Sequence, residues 1–208
     1  MGKTSSKLAK VKVNLPLLLA ASVLPDVDLL LRFLTHRGPT HSLITITVLM
    51  VPFFFLYRKR AIPYYAAMLS HILIGDFFTG GVELFWPLSH STIGALNLDT
   101  AGLLVSTIEL IFFLLTLPFM YKLGDLKSLL KPDSKNWALI IPLGAIIGPL
   151  VSLGRGREDA LPALLIIPSL IYIGLFGYSL YVWLRDRHTK DEDKSQQQQL
   201  PRISLTRS

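Results

Sequence analysis

The sequence predicts an all-α protein: a polytopic membrane helical bundle of about six helices, the first of them broken. Three observations predict it. The 208 residues are 51% apolar and only 17% charged, with a mean hydropathy of +0.49, whereas soluble domains carry about 25% charged residues. The apolar residues fall in long blocks, several of them near the roughly 20 residues a helix needs to cross a bilayer core. Basic residues gather in alternate loops between the blocks, the pattern of cytoplasmic loops in membrane proteins.

The chain opens with a polar, basic segment, 1–12, "MGKTSSKLAKVK". Its "GKT" lacks the glycine-rich run of a phosphate-binding loop, and its loose fit to a myristoylation pattern adds nothing to a protein with several spans. A retained helix is a better reading than a cleaved signal peptide, because more apolar sequence follows at once. The membrane domain then covers 13–184. Its first block, 13–34, is interrupted by Pro25-Asp26-Val27-Asp28. Block two is 42–57, block three 62–81, block four 101–121, block five 137–153 and block six 160–184. Blocks two and five are short for a full span, which predicts little tilt or a partly interfacial position. Residues 185–208 are polar, contain a glutamine run and show no periodicity, so a disordered tail is expected.

Loop charge sets the orientation. Lys3, Lys7, Lys10 and Lys12 precede block one, and Arg58, Lys59 and Arg60 follow block two. Lys122, Lys127, Lys131 and Lys135 follow block four, and Arg185 and Arg187 follow block six. Both termini and these loops are therefore expected in the cytoplasm, with 35–41, 82–100 and 154–159 outside. Arg155 and Arg157 alone run against the pattern. The formal net charge of +7 is accounted for by these loops, and no nucleic-acid partner is expected.

Inside the apolar region lie "PDVDLLLRFLTHRGPTHS" (25–42) and "HILIGD" (71–76). A charged side chain at a helix centre costs about 2.5–3.5 kcal/mol on insertion scales, so such residues persist when they pair, line water or bind something. Asp26 and Asp28 are about 200° apart on an ideal helix, but Pro25 favours a local break at Leu24–Asp28 that could turn both inward. Gly38-Pro39 marks a turn, with Thr40 as the expected N-cap of block two and His41 in its first turn. His71 and Asp76 are five apart, about 140° around a helix; a π-bulge at Gly75 would close that gap. The topology brings Asp26, Asp28, His36, His41, His71 and Asp76 to one side of the membrane. Cysteine is absent, so a metal there must be held by imidazole and carboxylate, a set that suits zinc, manganese, iron or magnesium.

Three stretches, "LPDVD", "HRGPTHS" and "SHILIGDFFTGGVELFWPLS", resemble the motifs of the prokaryotic membrane-bound, metal-dependent hydrolase family, also known as LexA-binding, inner-membrane-associated hydrolases. The resemblance covers roughly 15–90. It implies a cytoplasmic-membrane protein distantly akin to zinc-dependent phospholipase C and the single-strand-type nucleases, and hence a phosphoester substrate such as a lipid phosphate. This chain departs from the pattern in having no histidine in 1–24, Leu29 after the second aspartate, and a His71–Asp76 spacing of five.

The expected cofactor is a divalent metal, zinc first and manganese second, shared among Asp26, Asp28, His36, His41, His71 and Asp76. Arg37 and Asp28 are the candidate catalytic groups, Arg37 by holding phosphate or stabilising transition-state charge. Thr40, Ser42, Glu83, Ser89 and His90 are expected at the entrance or behind the ligands. Each pair also has a plainer reading: capping for Asp26 and Asp28, a solvated loop for His36 and His41, an interhelical hydrogen bond for His71 and Asp76. Two other classes stay open, a noncatalytic membrane scaffold and a small-solute or ion transporter; the latter should show paired broken helices, and only one broken segment is visible. Glu109, inside block four, reads as packed or paired, and His188 receives no role.

Overall fold

The structure is a computed structural model that describes residues 3, 7, 10–30, 34–96, 98, 102–152 and 162–199. The expected outer loop at 154–159, with Arg155 and Arg157, and the last nine residues lie outside this range. The described residues form helices and turns, with a single isolated bridge between Val82 and Ile93. Helix α1 is Leu15–Ser22, α2 Leu43–Tyr57, and α3 Ile62–Ser70, which runs on through a π turn, His71–Asp76, into Phe77–Thr79. Then come α4 Leu103–Lys122, α5 Asp125–Leu129, α6 Ile140–Ser152 and α7 Ile166–Gln199. Two helical stretches, Leu103–Lys122 and Ala163–Ser195, are long and apolar enough to cross a membrane. Many large apolar side chains on α2, α4 and α7 are exposed, among them Phe55, Leu56, Phe119 and Ile167, as expected of surfaces that meet lipid.

The first apolar block is broken. Asn14 caps α1 by accepting from Leu17 N, and Pro16 suits the first turn. The helix stops at Val23, and Leu24–Leu30 continues as a 3₁₀ helix that carries both aspartates. Pro25 has no N–H to give to an α-helical ladder, which accounts for the change. Helices α1 and α3 run side by side in the same direction. Near their beginnings the Asn14 backbone N–H donates to Tyr64 Oη, while beyond their far ends Asp26 meets His71. Block two begins one residue later than expected: Ser42, not Thr40, is the N-cap of α2, accepting from Ile44 N and Thr45 N.

Two apolar clusters hold the bundle. Ala21, Ile46, Met50, Met68, Ile72 and Leu84 join α1, α2, α3 and the loop after α3. Met120, Leu129, Leu139 and Phe176 join the later helices, with Leu15 and Leu19 of α1 packed against them. Polar ties close the end opposite the aspartates: Asn14 Nδ2 donates to Asp133, Lys3 pairs with Asp125, and Asn136 Nδ2 donates to the carbonyls of Lys131 and Ser179.

The polar segment expected as a disordered tail differs. Helix α7 continues without interruption to Gln199. Lys190 bonds Asp186 at 2.6 Å and His188 faces Glu192 at 3.2 Å, both at the i, i+4 spacing that supports a solvated helix. These pairs are a helix signal carried by charge alone, without an apolar period.

Candidate metal centre

His41 is the hinge of the site. It ends a one-turn 3₁₀ helix, Pro39–His41, rather than opening α2, and it is fully buried. Its Nδ1 lies 3.3 Å from Asp28 Oδ2 and 3.1 Å from Thr40 Oγ1, while Thr40 Oγ1 donates to Asp28 Oδ2 at 2.9 Å. The Thr40 proton is spent on Asp28, so Nδ1 is the side of the ring that must donate. In a neutral imidazole the other nitrogen is then an acceptor. Yet His41 Nε2 faces Asp26 Oδ1 at 3.3 Å and Asp76 Oδ2 at 3.4 Å, both acceptors themselves. A second proton on His41, a proton on one of the two carboxyls, or a metal ion would reconcile that arrangement.

His71 completes the ring. Its Nε2 lies 3.1 Å from Asp26 Oδ1 and 3.2 Å from Asp76 Oδ2. The π turn brings His71 and Asp76 together across five residues, as the i→i+5 pattern allows. Asp76 Oδ2 is buried and makes no hydrogen bond, although two imidazole nitrogens stand within 3.4 Å. A buried carboxylate oxygen left in that state is costly. The four nitrogen–oxygen separations, 3.1–3.4 Å, are close to the ligand–ligand edges of about 3.3 Å in a shell with 2.0–2.1 Å zinc bonds, and the ligand atoms of Asp26, His41 and His71 all lie within 4.8 Å of one another. Three carboxylates, Asp26, Asp28 and Asp76, against the single Arg37 guanidinium leave a negative excess that protons on the histidines or a divalent ion would balance.

The two aspartates thus point differently and both reach His41. Asp26 belongs to the ring with His41 and His71, and Asp28 to a second group with His36 and His41. Asp28 stands behind His41 Nδ1, as carboxylates stand behind metal-binding histidines. His36 Nδ1 is 3.2 Å from Asp28 Oδ1, on the exposed side of the group. Burial disfavours a charged His41, but its bonds to Asp26 and Asp28 outweigh that and push its pKa up to about 8.

Arg37 closes the site from the loop. Its guanidinium bonds Asp76 Oδ1 at 3.0 Å, its backbone N–H reaches Asp28 Oδ2 at 3.3 Å, and its carbonyl accepts from Glu83 N at 3.1 Å. Its φ of 64° is a left-handed conformation that costs a non-glycine residue about 1–2 kcal/mol, a strain offset by these three ties. Ser42, expected near the entrance, is fully buried and structural: besides capping α2 it donates to the carbonyls of Leu84 and Trp86. Glu83 and His90 face each other at 3.5 Å in the following loop, with His90 largely exposed, and Ser89 Oγ accepts from Ser91 N. Gly81, at φ 81°, takes the left-handed conformation this turn requires, and a Cβ there would crowd Thr92 Cγ2 at 3.1 Å.

Glu109, read from the sequence as packed or paired, lies within electrostatic reach of Arg37, Asp76 and Asp26.

No match was found among curated proteins or among solved structures. Residues 1–178 match the model of the YdjM inner membrane protein family, and the chain, which that match covers over most of its length, belongs to this family of membrane proteins.

Proposed function

We propose that the chain is a membrane-embedded, metal-dependent hydrolase of a phosphoester such as a lipid phosphate. The observation that carries this reading is the convergence of His41 Nε2, His71 Nε2, Asp26 Oδ1 and Asp76 Oδ2 at 3.1–3.4 Å, with Asp76 Oδ2 buried and lacking a hydrogen bond. Asp26, His41, His71 and Asp76 would hold the ion, zinc being the first candidate and manganese the second. When bound, such a cation supplies a Lewis acid for the phosphoryl oxygen and lowers the pKa of its water to about 7.

The chain's own groups have separate tasks. Asp28 and Thr40 hold the His41 ring by Nδ1 and so turn Nε2 toward the ion. Arg37 commits one arm to Asp76, and the remaining N–H groups of its fork are free in geometry to take a phosphate oxygen. His36, on Asp28 and at the exposed rim, is suited to pass a proton to solvent. The alternation of basic loops supports an outer-face position for this end of α1 and α3, where a lipid's phosphate would lie at headgroup depth.

The test is elemental analysis of protein purified in mild detergent without chelator, followed by a panel of phosphodiesters and phospholipids. Near-stoichiometric zinc or manganese and metal-dependent release of phosphate or a phosphorylated headgroup are expected. Protein with no metal, whose stability ignores added zinc and manganese, would overturn the hydrolase and favour a scaffold built on the same bundle.

A further inference from the structure

Apart from the metal centre, the described residues enclose a cavity of about 300 Å³ between α4 and the start of α7. One wall is Glu109, Phe112, Phe113 and Thr116. The other is Leu165, Pro168, Ser169 and Tyr172. Each wall is an i, i+3, i+4, i+7 stripe, one face of one helix, and spans about 10 Å of rise. Two such stripes ordinarily pack into each other's grooves. Here Phe113 and Tyr172 touch edge to face, with ring centroids 5.3 Å apart, and a channel remains beside them.

Three features say what the channel is for. Its volume is at the lower end of the roughly 300–1,000 Å³ range of small-molecule sites, and its two facing stripes run about 10 Å along the helices, a length that suits one slender chain. It opens sideways: Phe112 is 58% exposed, and its neighbours Ile111 and Leu115 are exposed as well, so the mouth lies on an apolar surface that meets lipid and not water. At the same time Glu109, on its lining, is within electrostatic reach of Arg37, Asp76 and Asp26. Glu109 thus belongs both to the lining of the cavity and to the electrostatic surroundings of the candidate metal centre.

We propose that this cavity holds one hydrocarbon chain of a membrane lipid whose phosphate head sits at the metal centre. The inference rests on the hydrolase reading for the head and extends it by making the substrate an amphiphile that enters laterally from the bilayer. Tyr172 and Phe113 line the apolar part of the path, and Glu109 marks its polar end, where the ester linkage between chain and head would lie.

The test uses the full-length protein in phosphatidylcholine vesicles with a long-chain phosphatidic acid carrying a diazirine on its chain. Photolysis is expected to label 112–116 and 165–172, and Ser169→Phe, which fills the cavity, to lower that labelling at least fivefold. In detergent assays the same variant is expected to lower the ratio of kcat/KM for long-chain over short-chain phosphatidic acid at least tenfold. Thr116→Met, from the opposite wall, serves if Ser169→Phe does not fold. Labelling confined to other segments, or unchanged when the cavity is filled, overturns the chain site. Labelling as expected with no hydrolysis of either substrate supports the chain site and removes the hydrolase.

Discussion

His71 Nε2 and Asp76 Oδ2 lie 3.2 Å apart although five residues separate them on one helix. An unbroken α-helix would leave them about 140° apart, so the π turn is what brings this pair together. If the pair are ligands, either Asp76→Asn or His71→Gln should lower the zinc content of purified protein well below that of His188→Ala, a change in the exposed part of α7. Equal metal content in the three variants would reduce the π turn to a hydrogen-bonding detail.

Asp28 should behave differently from Asp26. It stands at His41 Nδ1, on the far side of the ring from the convergence point. Replacing a carboxylate that orients a metal-binding histidine weakens metal binding about 10- to 100-fold. Asp28→Asn is expected in that range and Asp26→Asn beyond it, as read by competition with a fluorescent zinc chelator. The reverse order would make Asp28 the ligand and Asp26 its support.

Acidity should compete with the metal. His41 is pushed from 6.5 up to about 8 once burial is outweighed by Asp26 and Asp28. A folded-state pKa above the unfolded one stabilises the protein fully below pH 6.5, and that contribution fades as the pH rises through about 8. Metal-free protein should thus lose on the order of 2 kcal/mol from this group across that window. Zinc must displace the same proton, so this group alone should raise its affinity by about eightfold from pH 6.5 to 7.5. Zinc titrations and thermal unfolding at those two pH values, with and without chelator, check both signs.

Much of this arrangement was legible in the sequence, for identifiable reasons. Pro25 and the paired aspartates announced the break after α1, and the five-residue spacing with Gly75 announced the π turn, because both are local backbone constraints. The N-cap was misplaced by two residues. Thr40 and Ser42 are both good caps by composition, and the choice was made by Asp28, which takes the Thr40 hydroxyl, and by the Leu84 and Trp86 carbonyls, which accept from Ser42. Those partners are distant in the chain and leave no local trace. The helical extension of α7 was missed because its i, i+4 charge pairs lie in a segment without apolar period. The cavity beside Glu109 was out of reach for the same reason as the cap: its two stripes are legible one at a time, and their imperfect fit is not.

Ser42→Ala should therefore be a stability mutation and not a catalytic one. It removes the cap of α2 and takes the hydroxyl donor from the half-buried Trp86 carbonyl, while the Leu84 carbonyl keeps the Leu43 N–H. A lost cap costs about 1 kcal/mol and a lost buried hydrogen bond about as much, so a combined cost near 2 kcal/mol is expected. Thermal unfolding in detergent should show it, while metal content per folded protein should match the wild type. A selective loss of metal at unchanged stability would return Ser42 to the site.

Orientation is the remaining test. The alternate basic loops predict that Arg58, Lys59 and Arg60 lie in the cytoplasm and the loop that carries Glu83 and His90 outside. The chain has no cysteine, so single-cysteine variants report one position each against no background. Ser91→Cys and Lys59→Cys replace exposed residues in these two loops, away from the converging ligands. An impermeant maleimide added to intact cells should modify the first and reach the second only after the membrane is opened. The opposite pattern would turn the metal centre toward the cytoplasm, and the substrate would then be drawn from the inner leaflet.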